Sequence, residues 1–208
     1  MSMGQRNALK QSASSEAERY WDRALHVQTA GIEYWVDRKF MPYEPTPYPV
    51  LLRLADSGLI ASTDHVLDYG CGKGRVAFLL CAKVGCRVTG IDRSEKLISL
   101  AEQNRSSFEK RELVRFLHES AERYSPVEEN VCFFFNPFSE KILDIALRRI
   151  LSACPERKKK LLFYYPSAEY LARLESEPQL KLTKEIDCRD LFDGSKDRER
   201  IVIYETRP

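Results

Sequence analysis

From His65 onward the chain alternates short apolar runs with stretches of helical period. The runs HVLDY (65–69), CRVTGID (86–92), ELVRFLHE (112–119), NVCFFFN (130–136) and KKLLFYYP (159–166) are rich in β-branched or aromatic residues and short enough to be strands. Helical patterns separate them, over 75–84, 94–111, 139–152 and 167–175, and Ser94 stands where the second of these needs an N-cap. Alternation at this spacing predicts a parallel sheet covered on both faces, with right-handed crossovers. The rhythm then changes. LKLTKEID (180–187) and RIVIYET (200–206) have no helix between them, and Asp193-Gly194 in their linker is a turn signal. The pattern therefore predicts an α/β fold: a doubly wound, mostly parallel seven-stranded sheet closed by an antiparallel C-terminal hairpin strand.

The N-terminal part follows another pattern. Tyr20, Trp21, Leu25, Ile32 and Trp35 recur at roughly helical spacing, and Pro42, Pro45, Pro47 and Pro49 impose extended or turn geometry before a helix over 50–55. The expected organisation has three parts. Residues 1–15 are a disordered segment or a cloning remnant, 16–60 a helical extension able to lid a pocket, and 61–208 the main domain.

Composition narrows the function classes. At 208 residues, 43% of them hydrophobic and 31% charged, the chain reads as an ordinary soluble domain. A formal charge of +2 gives no general attraction to nucleic acid, so a nucleic-acid partner would need a local patch. The six cysteines include no C-x-x-C pair, which argues against structural zinc and a disulfide framework. No apolar run approaches the roughly 20 residues of a membrane span, and the polar N-terminus lacks a signal-peptide core, so a cytoplasmic location is expected. The run PERKKK (155–160) is expected to be a solvated turn. Oligomeric state is left open.

The candidate chemistry centres on DYGCGKGR (68–75), a glycine-rich turn between a strand and a helix. A P-loop needs a hydroxyl after its lysine, where this chain has Gly74 after Lys73. A dinucleotide fingerprint needs G-x-G-x-x-G, where this chain has G-x-G-x-G and Arg75. What remains is D-x-G-x-G-x-G, Asp68, Gly70, Gly72 and Gly74, in which missing Cβ atoms let the backbone pass close beneath a ligand. One strand later GIDRS places Asp92 where a carboxylate can accept both hydroxyls of a ribose.

The turn resembles the first motif of class I S-adenosylmethionine-dependent methyltransferases, whose fold is Rossmann-like with a closing hairpin. A closer likeness is to small bacterial methyltransferases pairing a Y-x-P-T-x-Y segment (Tyr43 to Tyr48), a GxGKGR turn and an NPF strand end. The resemblance implies S-adenosylmethionine as cofactor, S-adenosylhomocysteine as product, and no metal. The implied cofactor-binding residues are Asp68, Gly70, Cys71, Gly72, Gly74, Asp92, Arg93, Ser120, Ala121 and Asn136. In the family an acid often stands at the position of Ser120, and here Glu119 and Glu122 are near enough to replace it. Asn136, Pro137 and Phe138 resemble the (N/D)-P-P-(Y/F) tetrapeptide of amino-group methyltransferases, with one proline fewer. They are either the acceptor site or a plain turn.

Methyl transfer from a sulfonium requires alignment and dryness more than a metal or a covalent nucleophile. Four segments should surround the reacting methyl: 136–138, 165–167, 188–199 and 43–48. Tyr43, Tyr48 and Tyr165 are candidates for an aromatic wall, with core packing the alternative for each. The leading expectation is a methyltransferase acting on a small molecule or an amine. Behind it stand a protein-lysine or RNA methyltransferase, a non-catalytic cofactor-binding module and a nucleotide-dependent oxidoreductase.

Overall fold

The computed structural model describes residues 16–31, 43–194 and 196–207. Helix α1 covers 16–24, and α2 (Tyr48–Asp56) follows. Then come β1 (His65–Tyr69), α3 (Arg75–Val84), β2 (Arg87–Asp92), α4 (Glu95–Ser107), β3 (Val114–His118) and β4 (Val131–Phe134). The chain ends with α5 (Glu140–Ser152), β5 (Lys160–Tyr164), α6 (Ala168–Glu175), β6 (Leu180–Asp187) and β7 (Arg200–Thr206). The expected first segment, and Ile32 and Trp35 of the expected aromatic stripe, lie outside the described residues.

The seven strands form one sheet in the order β3-β2-β1-β4-β5-β7-β6, with β7 antiparallel to both neighbours. Alternation along the strands sends side chains to two cores. Val66, Phe133, Leu162, Tyr164, Ile201 and Ile203 pack with buried residues of α2, α3 and α4. Leu67, Tyr69, Phe134, Leu161, Phe163 and Tyr204 pack with α5 and α6. On that second face Tyr69, Phe134 and Phe163, paired in register, stack at ring separations of 4.6 and 4.5 Å. This ladder holds the ends of β1, β4 and β5 at one level, just below the loops that carry the site.

Element boundaries follow local chemistry. Gly74 and Gly85 bracket α3 at φ +90° and +79°, conformations glycine adopts without penalty. Ser94 caps α4, its Oγ accepting the Leu97 N–H at 3.3 Å. That helix stops at Ser107, short of the expected 111, because Phe108 turns into extended backbone and buries its ring 5.0 Å from that of Phe78. Helix α2 begins two residues earlier than expected, with Pro47 at its N-cap and Pro49 in its first turn, where a missing N–H costs nothing.

Two other expectations are corrected. Tyr20 is exposed rather than part of a buried stripe, and Trp21 of α1 and Leu25 in the turn after it pack against the core. Lys159 is buried rather than solvated, its Nζ donating to the Ala153 carbonyl at 2.5 Å.

Candidate active site

Strand order reverses between β1 and β4, so the loops after these strands diverge and leave a crevice beyond their carboxyl ends. A cleft of about 770 Å³ opens there. Gly70 follows β1, Asp92 ends β2, Ser120 and Ala121 follow β3, and Asn136, Pro137 and Phe138 follow β4; all of them line it. Arg93 lines it as well, and so do Glu119 and Glu122, the acids expected to replace one at Ser120. Six of the expected cofactor-binding residues, Gly70, Asp92, Arg93, Ser120, Ala121 and Asn136, are thus brought together by four strand ends.

Asp92 is the best-defined of them. Its two oxygens accept backbone N–H groups, Oδ2 from Gly72 at 3.0 Å and Oδ1 from Ser94 at 2.8 Å. Each oxygen keeps a second lone pair for a ligand. Burial raises the carboxyl above its ordinary range, and those two donors oppose the rise. The bond to Gly72 also joins the end of β2 to the glycine turn, so one carboxylate fixes both.

The remaining turn residues lie beneath the cleft rather than on its surface. Asp68 is buried, Oδ2 has no hydrogen-bond partner, and the carboxyl is pushed up to about 8 by burial and by the charge of Asp92. Cys71 is buried, its thiol held well above the usual range by desolvation. Gly72 serves close approach: a Cβ there would stand 2.1 Å from the ring of Tyr43, at a φ of +55°. Gly74 opens the turn onto α3, where a Cβ would meet Phe116 at 2.5 Å.

At the other end of the cleft β4 and β5 finish in an unusual pair. Asn136 and Tyr165 both have positive φ, +40° and +52°. The Asn136 amide Nδ2 donates to the Tyr165 carbonyl at 2.6 Å, while its buried Oδ1 is unpartnered. The Arg198 guanidinium lies 4.2 Å from the centre of the Tyr165 ring and donates to the Tyr165 carbonyl at 3.0 Å. Tyr164 donates its hydroxyl to Glu199 Oε2 at 2.8 Å. Phe138 presents its ring edge-on to Tyr69 and Phe134, and Tyr170 donates to its carbonyl at 2.6 Å.

The N-terminal segment supplies the last wall. Tyr43 lines the cleft, and its hydroxyl donates to the Thr29 carbonyl at 2.6 Å. Tyr48, expected beside it, does not reach the cleft. It is fully buried, donates to Asp22 Oδ1 at 2.6 Å and carries the Arg75 guanidinium 4.3 Å from its ring centre. Starting α2 at Tyr48 turns that side chain inward.

Arg75, the first residue of α3, had no expected role beyond its place in the GxGKGR likeness. It is 2% exposed, pairs with Glu18, and donates to Thr29 Oγ1 at 2.7 Å. Asp22 accepts the Thr29 N–H and hydroxyl at 2.8 and 2.6 Å. This buried network fastens residues 18–29 to the helix that follows the glycine turn. Among the described residues no cluster of side chains has the makings of a metal site, and no helix is long and apolar enough to cross a membrane.

Comparison with known proteins gives these features a family. Residues 60–150 match the methyltransferase-domain family. Over 76 residues, 36% of this chain and 4% of the relative, the chain is 41% identical to a histone-lysine N-methyltransferase specific for H3 lysine 79 from Dictyostelium discoideum. Over 56 residues, 27% of this chain and 24% of the relative, it is 43% identical to a ubiquinone biosynthesis O-methyltransferase of Coxiella burnetii. The matches therefore span less than a third of these curated relatives. In fold, the chain is similar to a TehB-like SAM-dependent methyltransferase from Corynebacterium glutamicum, with a TM-score of 0.57 at 20% identity, over 93% of this chain and 99% of that one. Sheet order, closing hairpin and matched domain agree: residues 60–150 form a methyltransferase domain, on the Rossmann-like fold of the S-adenosylmethionine-dependent methyltransferases.

Proposed function

We propose that this protein transfers the methyl group of S-adenosylmethionine to a small-molecule or amine acceptor in the cleft beyond β1 and β4. The observation that carries the reading is the convergence of Gly70, Asp92, Ala121 and Asn136, each from a different strand end, on one cavity. In this reading Asp92 accepts the ribose hydroxyls and the Ser120–Ala121 backbone meets the adenine edge. Gly70 lets the chain pass under the amino-acid end, and Asp68 lies below as a buried acid that ionises more readily beside a cation. The bound cofactor supplies a methyl already activated by its sulfonium. The protein's own task is to hold the acceptor in line and keep water out. Asn136 Oδ1, with its free lone pairs, receives a hydrogen from the acceptor, and the Tyr43 ring closes the cleft over Gly72. Tyr43, Glu44 and Pro47, from the expected helical extension, wall this site.

A protein lysine is the second reading, supported by the likeness to a histone-lysine methyltransferase. Calorimetry with S-adenosylmethionine, S-adenosylhomocysteine and NAD tests the cofactor, and binding of NAD alone would end the proposal. Asp92→Ala should weaken S-adenosylmethionine by about 1–3 kcal/mol, as for a lost charge-assisted hydrogen bond. Asn136→Ala should lower turnover while leaving cofactor affinity nearly intact, and unchanged turnover removes Asn136 from the acceptor site.

A further inference from the structure

The charge of the cleft is opposite to that of the chain. The whole protein carries a formal +2, yet the described residues lining the cleft include five carboxylates, Glu44, Asp92, Glu119, Glu122 and Glu199, against the single guanidinium of Arg93. These groups divide by position. Asp92, Arg93, Glu119 and Glu122 stand at the ends of β2 and β3, on the cofactor side. Glu44 and Glu199 come from the N-terminal segment and from the residue just before β7, beside Tyr164 and Tyr165 at the end of β5. Burial and the Glu199 acceptor hold the Tyr164 hydroxyl far above its ordinary range, so it remains the donor to Glu199.

Around these two carboxylates the wall is aromatic: Tyr43, Phe135, Tyr164, Tyr165 and Phe192 all line the cleft. Two described cations stand against rings of this wall without lining the cleft: Lys73, its Nζ 5.0 Å from the centre of the Tyr43 ring, and Arg198, 4.2 Å from that of Tyr165. The Arg198 Nε and Nη2 are committed to the carbonyls of Pro166 and Tyr165 at 2.9 and 3.0 Å. Among the described residues, an anionic acceptor would meet these two carboxylates with no cation lining this part of the cleft. Phosphate and carboxylate groups are thereby disfavoured. A cation would gain both carboxylates and the π-faces of the rings.

Resting on the methyltransferase reading above, we infer that the acceptor is a protonated amine, held by Glu44 and Glu199 within this aromatic wall. Transfer then begins when the ammonium gives up a proton, to one of these carboxylates or to solvent. The freed nitrogen lone pair forms the N–C bond to the methyl while the S–C pair returns to sulfur. Neutral S-adenosylhomocysteine and an N-methylammonium result.

The test uses the full chain saturated with S-adenosylhomocysteine, so failure to bind that molecule sinks the methyltransferase reading, while the remaining arms address the acceptor alone. Phenethylamine, 2-phenylethanol and 3-phenylpropionate share a skeleton and differ in charge, and a short N-terminally blocked peptide bearing one lysine presents the same ammonium on a protein. Calorimetry should show binding of phenethylamine or of the lysine peptide, with the alcohol and the carboxylate at least about tenfold weaker. Glu44→Gln and Glu199→Gln should each weaken the amine about tenfold, the worth of one charge-assisted hydrogen bond, with S-adenosylhomocysteine affinity kept within about twofold on the same scale. Which amine binds identifies the source. Binding of neither amine, equal binding of the alcohol or carboxylate, or unchanged amine affinity in both variants overturns the inference.

Discussion

Gly72 shows how closely the site is packed at single-residue resolution. Its φ of +55° belongs to glycine, and the face a Cβ would occupy is filled by the Tyr43 ring. Gly72→Ala should therefore destabilise the fold by about 1–3 kcal/mol through clash and left-handed strain together. In a Tyr43→Ala background the clash is gone, and the same change should cost only about 1 kcal/mol, the left-handed backbone part. Denaturant titration of the four proteins measures both costs, and equal costs would mean that the ring does not press on Gly72. The comparison matters for function, because Tyr43 both fills the space over the turn and lines the cleft.

Among the elements, α1 owes its place to one buried guanidinium. Arg75 stands at the start of α3 but is held by Glu18 and Thr29, with its cation over Tyr48 of α2. Removing one partner of such a buried set typically costs about 3–5 kcal/mol, because the rest remain buried and unpaired. Arg75→Met should accelerate amide exchange over residues 16–31 while β1, β4 and β5 keep their protection; uniform acceleration would show that Arg75 supports the whole core instead. This network also marks where sequence reading stops. The strands were legible because short β-branched and aromatic runs alternate with helical ones, and the cofactor end was legible because Gly70, Asp92 and Ala121 each sit at or just past a strand end. Those signals are local. Arg75 was opaque because Glu18 and Thr29 lie 57 and 46 residues away. Tyr43 and Tyr48 look equivalent in sequence, and only the first turn of α2 sends one to the cleft and the other into the core. Within the run at 155–160, whose first four residues are exposed as expected, Lys159 misled in the same way, since the Ala153 carbonyl that receives it is an acceptor no composition reveals.

For the molecule as a whole, the buried acid of β1 links folding to pH. Asp68 titrates at about 8 in the folded protein and near 3.9 when unfolded, so between these values the native state keeps a proton that the unfolded chain has released. Its contribution to stability is complete below about pH 4 and is lost as the pH rises through about 8. The melting temperature of the wild type should thus fall relative to Asp68→Asn between pH 5 and pH 9, by about 2–4 °C for each kcal/mol lost. A pH-independent difference would mean that Asp68 is ionised throughout. The same molecule-wide view applies to the two ends of β4 and β5, where the Asn136 amide closes on the Tyr165 carbonyl and both residues hold positive φ. Neither position is an independent variable for retargeting the pocket. A library that randomises residue 136 removes one of the two donors, with Arg198, that hold the Tyr165 carbonyl, so productive variants will be found only where positions 136 and 165 are sampled as one.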